Sequence, residues 1–132
     1  MKMLFNLLAA LFAFSVVCFA CSSKDSTKYT LLQTDEFEAL INGQEVQLVD
    51  VRTGVEYSES HIPGAININV TDDSFAGHAD SLLQKEIPVA VYCRSGKRSR
   101  KAAELLSKKG FKVYNLDKGI LSWEELGKPL EK

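Results

Sequence analysis

A chain of 132 residues, 45% hydrophobic and 25% charged, has room for one globular domain and matches neither a disordered nor a fibrous composition. A net charge of −1 gives no basis for expecting nucleic acid as a partner. Three cysteines are too few for a disulfide scaffold or for a four-ligand zinc site.

The chain opens on Lys2 and an apolar run from Leu4 to Ala20, interrupted only by Asn6 and Ser15. A basic start, an apolar stretch and a small residue at its end read as an export signal over residues 1–20. A helix apolar on every face would need a larger core than this chain can build around it. Residues 21–28 are small and polar and read as a flexible linker. Cys18-Phe19-Ala20-Cys21 resembles the lipobox of bacterial lipoproteins, with Cys18 where leucine is usual and a bulky Phe19. The resemblance implies lipid attachment at Cys21; simple cleavage and an uncleaved N-terminal anchor are the alternatives. All three place the domain outside the cytoplasm, in the periplasm or cell envelope, the first and last of them attached to the membrane. Cys93 would then be an unpaired thiol in an oxidising compartment, a liability unless its reactivity is used.

Residues 29–132 form the expected domain. Tyr29 to Leu32 is a short strand. Thr34 is the expected N-cap of a helix that runs to Gly43, with Asp35 and Glu36 in its first turn and Phe37, Leu40 and Ile41 on one face. Val46 to Val51 reads as a strand. Ala65 to Val70 reads as a half-buried strand, with Ile66, Ile68 and Val70 facing inward. Ser74 to Leu83 is a short helix. Val89-Ala90-Val91-Tyr92 has the unbroken apolar character of a strand covered on both faces. Ser99 to Lys109 is a helix with Ala102, Ala103, Leu105 and Leu106 inward and Gly110 as its stop. Phe111, Val113 and Leu116 mark a further strand, and Gly119 to Leu126 a last helix carrying Trp123. Strands alternating with helices predict an α/β domain, a mostly parallel sheet with helices on both faces. Ligands of such sheets lie beyond the carboxyl ends of the strands, and the Val89–Tyr92 strand ends at Cys93.

The stretch Cys93-Arg94-Ser95-Gly96-Lys97-Arg98-Ser99 carries the most chemistry. Gly96 allows a tight turn with positive φ. Successive backbone amides in such a turn can converge on an anion, and the following helix adds its positive N-terminal end. Arg94, Lys97 and Arg98 add formal charge. Together these groups are expected to favour the thiolate of Cys93. Arg100, Lys101, Lys108 and Lys109 read as a solvated helix face.

Several segments, taken together, resemble the rhodanese family of sulfurtransferases. Leu48-Val49-Asp50-Val51-Arg52, with Glu56-Tyr57 beyond it, is similar to the family's first signature. Glu59-Ser60-His61-Ile62-Pro63-Gly64-Ala65-Ile66-Asn67 resembles its G-H-I-P-G-A-x-N segment, with Ser60 in place of glycine. Cys93 to Arg98 looks like its active-site loop, and Asp117 to Trp123 like its closing G-G-x-x-x-W pattern, with Lys118 replacing the first glycine. The resemblance implies a rhodanese-like domain with a central, mostly parallel five-stranded sheet. It implies Cys93 as the nucleophile that takes sulfur from thiosulfate or another sulfane-sulfur donor and passes it as a persulfide to a thiol or to cyanide. Arg94, Ser95, Gly96, Lys97 and Arg98 would bind the donor. Asp50 and Arg52 read as a structural ion pair and His61 as a structural hydrogen-bonding residue; His78 is given no role. The resemblance implies no metal and no organic cofactor. Related phosphatases carry a C-x5-R loop, whereas the corresponding position here is Ser99 and the arginine at C-x4-R is Arg98. A carrier or binding module, loaded by a partner protein and without turnover, is the alternative to an enzyme. A redox protein is disfavoured because no C-x-x-C pair accompanies Cys93. The domain is expected to be a monomer.

Overall fold

A computed structural model describes residues 28–132. The export signal, Cys21 and all of the linker but Lys28 lie outside the described residues. The elements alternate as β1 (Thr30–Leu32), α1 (Thr34–Gly43), β2 (Gln47–Asp50), α2 (Gly54–Glu59), β3 (Ile66–Asn67), α3 (Phe75–Leu82), β4 (Val89–Tyr92), α4 (Lys97–Lys108), β5 (Val113–Leu116) and α5 (Gly119–Glu125). The five strands form one sheet in the order β1-β5-β4-β2-β3, and every pairing is parallel. Among the described residues no helix is long and apolar enough to cross a membrane.

Two apolar layers hold the sheet. On one face Val49, Val89, Val91 and Val113 meet Phe75 and Ala79 of α3 and Ala102, Ala103 and Leu106 of α4. On the other, Leu48, Ala90, Tyr92 and Leu116 meet Phe37 of α1 and Ile120 and Trp123 of α5. Both faces of β4 are covered, which accounts for its four consecutive apolar residues, all buried.

The structure departs from the sequence reading at several points, the first of them α2, a six-residue helix with no buried side chain to give it an apolar pattern. The N-cap of α1 is Gln33, while the Thr34 hydroxyl pairs with Ser122 Oγ at 2.6 Å and ties α1 to α5. The Ala65–Val70 strand shrinks to Ile66–Asn67. Ile66, expected inside, is 41% exposed because β3 is the sheet edge, whereas Ile68 and Val70 are buried. Their amides still bond the Asp50 and Val51 carbonyls at 3.0 and 3.1 Å. Helix α4 starts at Lys97 rather than Ser99, so Lys97 and Arg98 sit in its first turn.

One buried residue sits at odds with its surroundings. Asn115 pairs with Val91 on one side and Leu31 on the other and is fully buried. Among the described residues its amide has no protein partner at either the nitrogen or the oxygen. A buried, unpaired amide costs about 1–3 kcal/mol. Asn115→Val removes both polar atoms and suits a strand, and is expected to raise unfolding free energy by about 1 kcal/mol or more in a urea titration.

Candidate active site

The site is assembled at the carboxyl ends of β2 and β4, where the sequence changes abruptly from apolar to polar and basic. Cys93 directly follows β4 and is only 1% exposed. It is the one free cysteine among the described residues. Its Sγ accepts a hydrogen bond from the Gly96 N–H at 3.1 Å, closing the chain back on the sulfur. That turn requires φ of +99° at Gly96, a conformation glycine adopts without a Cβ penalty. The next amides, those of Lys97 and Arg98, head α4 and have no intrahelical acceptor.

Helix α5 braces the loop from behind. The Ile120 and Leu121 amides donate to the Cys93 and Arg94 carbonyls at 2.9 and 3.1 Å. The approach is so close that a Cβ on Gly119, which has φ of +63°, would overlap the Arg94 carbonyl, and one on Gly96 would overlap the Asp117 carbonyl. The Ser99 hydroxyl, fully buried, donates to the Gly96 carbonyl at 3.1 Å. The thiol and its turn are thus held by backbone from β4, α4 and α5.

The loop's cations are not equivalent. Arg94, Ser95 and Lys97 are exposed. Arg98 is turned to Glu56 of α2, with Nη1 and Nη2 at 2.7 and 2.9 Å from the two carboxylate oxygens. Arg100 pairs with Asp117 at 2.8 Å. Of the three basic residues expected to meet a donor, Arg94 and Lys97 therefore remain without an ion pair among the described residues. Glu56 stands in a signature segment, yet nothing in the sequence gives it a role. Only its contact with a side chain 42 positions away identifies it.

The Arg98 hydrogen bonds hold the Glu56 carboxyl at about 2, below its usual 4.5. A carboxyl lowered on folding contributes stability that is complete above its unfolded value and is lost as pH falls through its folded one. Acid unfolding is therefore expected to draw on this pair between about pH 4.5 and pH 2. A Glu56→Gln chain followed by circular dichroism should lose less stability than the wild type across that window.

Asp50 and Arg52 stand beneath the mouth. Arg52 Nε and Nη2 reach Asp50 Oδ1 and Oδ2 at 3.0 and 2.7 Å, and Nη2 also bonds the Ser60 carbonyl at 2.7 Å. Burial opposes the guanidinium's charge, but the Asp50 bond and charge outweigh it and raise its pKa. The Arg52 guanidinium carbon lies 5.8 Å from the Tyr92 ring centre. Asn67 Nδ2 binds the Asp50 and Arg52 carbonyls at 3.0 and 2.9 Å. His61 stacks on Tyr57 with ring centres 3.8 Å apart. Its Nδ1 meets the Tyr57 carbonyl at 2.8 Å and its Nε2 the Glu131 carboxylate at 3.2 Å. These bonds tie Ser60 to the Asp50–Arg52 pair, and Glu131 through His61 to α2. A groove of about 190 Å³ between Ile41, Pro63, Trp123 and Pro129 borders none of the Cys93 loop.

Comparisons with known proteins identify the chain's relatives. The model of the Rhodanese-like domain family matches residues 33–126. The chain is similar to Thiosulfate sulfurtransferase GlpE of Shewanella oneidensis, 35% identical over 96 residues that cover 71% of this chain and 91% of the relative. It is also similar to a protein named Sulfurtransferase from Allochromatium vinosum, 35% identical over 98 residues, covering 70% of this chain and 85% of that one. The crystal structure of a rhodanese-related protein from Thermoplasma volcanium superposes with a TM-score of 0.69 at 28% identity, over 78% of this chain and 98% of the other. The family match spans the helices and strands that build the Cys93 loop, and the chain belongs to the rhodanese-like domain family.

Proposed function

We propose that this chain is a sulfurtransferase that moves a sulfane sulfur from an anionic donor such as thiosulfate to a thiol or cyanide, through a persulfide on Cys93. The observation that carries the reading is the Gly96 amide on the Cys93 sulfur, at the head of a C-x4-R loop with free cations at its rim. The Cys93 thiolate attacks the outer sulfur of thiosulfate. A bond forms between the two sulfurs, the donor's S–S bond breaks, and sulfite leaves with the electron pair. The acceptor then attacks the terminal sulfur of the persulfide, and the thiolate of Cys93 is released. The loop's amides stabilise negative charge on either sulfur, and Arg94 and Lys97 attract the donor.

The test is intact mass of the reduced chain with and without thiosulfate. One added sulfur, removed by cyanide, is expected; steady thiocyanate production at excess donor then marks an enzyme. A single stoichiometric loading without turnover would instead mark a carrier. We further propose export and lipid attachment at Cys21, supported by the apolar run and Cys21 itself. Fatty-acid label incorporated by the wild type and lost in Cys21→Ala would support it; label in neither would leave a cleaved or uncleaved signal.

A further inference from the structure

Glu56 takes no part in the chemistry above, yet it occupies the arginine that closes the loop. Its carboxylate meets both terminal nitrogens of Arg98 and also accepts from the Thr53 hydroxyl at 3.1 Å. Both side chains of the pair are about three-tenths exposed, so the pair stands at the rim of the site. Arg98 stands in the first turn of α4, two residues past the Gly96 amide that binds the sulfur, so an anion next to the sulfur would feel its charge. With Glu56 in place, that cation is offset before a donor arrives. Arg100, the next arginine along α4, is offset by Asp117. Two cations of the loop, Arg94 and Lys97, are exposed and make no ion pair among the described residues.

We propose that Glu56 is a specificity-determining residue that sets the charge of the donor the site accepts. By neutralising Arg98 it holds the free cations at the mouth to two, matched to a donor of one or two negative charges rather than a more highly charged anion. The inference rests on the proposed donor site at Cys93. The role does not require the carboxylate to hold α2 in place, because the cap of that helix is made by Thr53 Oγ1 accepting from the Glu56 N–H. Glu56→Gln keeps that backbone amide and the side-chain shape, removes the charge, and turns one of the two acceptors that face Arg98 into a donor.

The experiment reads the field at Cys93 without calling on sulfur transfer. The full chain is alkylated with iodoacetate, an anion, and with iodoacetamide, its neutral counterpart. The ratio of the two rates cancels changes in thiol ionisation and access that affect both reagents alike. In Glu56→Gln the ratio is expected to rise roughly three- to ten-fold, the scale of one partly solvated unit charge several ångströms away. The rise should shrink with added salt. In the double variant Glu56→Gln/Arg98→Met the ratio should return to within about two-fold of wild type, since the net charge is restored. The KM for thiosulfate should fall in Glu56→Gln, with a smaller change in KM for the monoanion benzenethiosulfonate and little change in kcat.

A ratio that stays put or falls in Glu56→Gln overturns the proposal. So does a double variant that keeps the full rise. A Glu56→Gln chain whose kcat falls for both donors, with the alkylation ratio unchanged, would make the pair a clamp on the loop and nothing more. A raised ratio in a chain that transfers no sulfur from either donor would sustain the electrostatic role of Glu56 and overturn the sulfurtransferase reading instead.

Discussion

Cys93→Ser is expected to remove sulfur transfer while leaving the fold in place. A serine oxygen cannot carry the persulfide, so the variant should gain no sulfur from thiosulfate in an intact-mass measurement. Thiocyanate production should fall at least about a thousand-fold, to the uncatalysed background, as it does when a covalent nucleophile is lost. The substitution changes one buried atom. Its hydroxyl can accept the Gly96 N–H that Sγ now accepts at 3.1 Å, so the polar group does not enter the core unpaired. Thermal unfolding should move by a few degrees only. A variant that still takes up one sulfur would locate the acceptor elsewhere in the chain and remove the basis for assigning Cys93 as the nucleophile.

Gly96→Ala should be among the most damaging single methyls in the domain. The residue is buried with φ of +99°, where a Cβ is strained whatever the space. Here there is no space either: the new methyl would overlap the Asp117 carbonyl, which is backbone and cannot rotate aside. The turn must open. Opening moves the Gly96 N–H off the sulfur and shifts the start of α4, where the Gly96 carbonyl also accepts from Ser99 Oγ and the Arg100 amide at 3.1 and 3.2 Å. Loss of one donor aimed at developing charge costs roughly 10²–10³ in rate. Strain and overpacking together cost about 2–4 kcal/mol, which for a domain of this size lowers Tm by roughly 10 °C or more. Calorimetry and thiocyanate production would check the two effects separately. An alanine chain with unchanged Tm and rate would show that the turn is not held as described.

The order of the five strands and of four of the helices, their mostly parallel pairing and the place of the thiol at the end of a buried strand could be read from local pattern; α2, six residues with none buried, could not. Apolar runs, caps and turn glycines act within a few residues, and the alternation of strand and helix restricts the sheet to parallel connections. The loop's glycine and its cysteine were legible for the same reason. What the sequence left open depends on residues far apart along the chain. The exposure of Ile66 followed from β3 being an edge strand, which strand order alone decides. The three basic residues of the loop carry the same sign in the sequence, but only the folded chain separates them: α2 brings Glu56 against Arg98 and leaves Arg94 and Lys97 exposed. Composition and spacing determined that this protein carries a thiol at the mouth of a parallel sheet. Tertiary packing decided which of the loop's charges are paired and which stay exposed, because electrostatic partners are chosen by distance in space and not by distance along the chain.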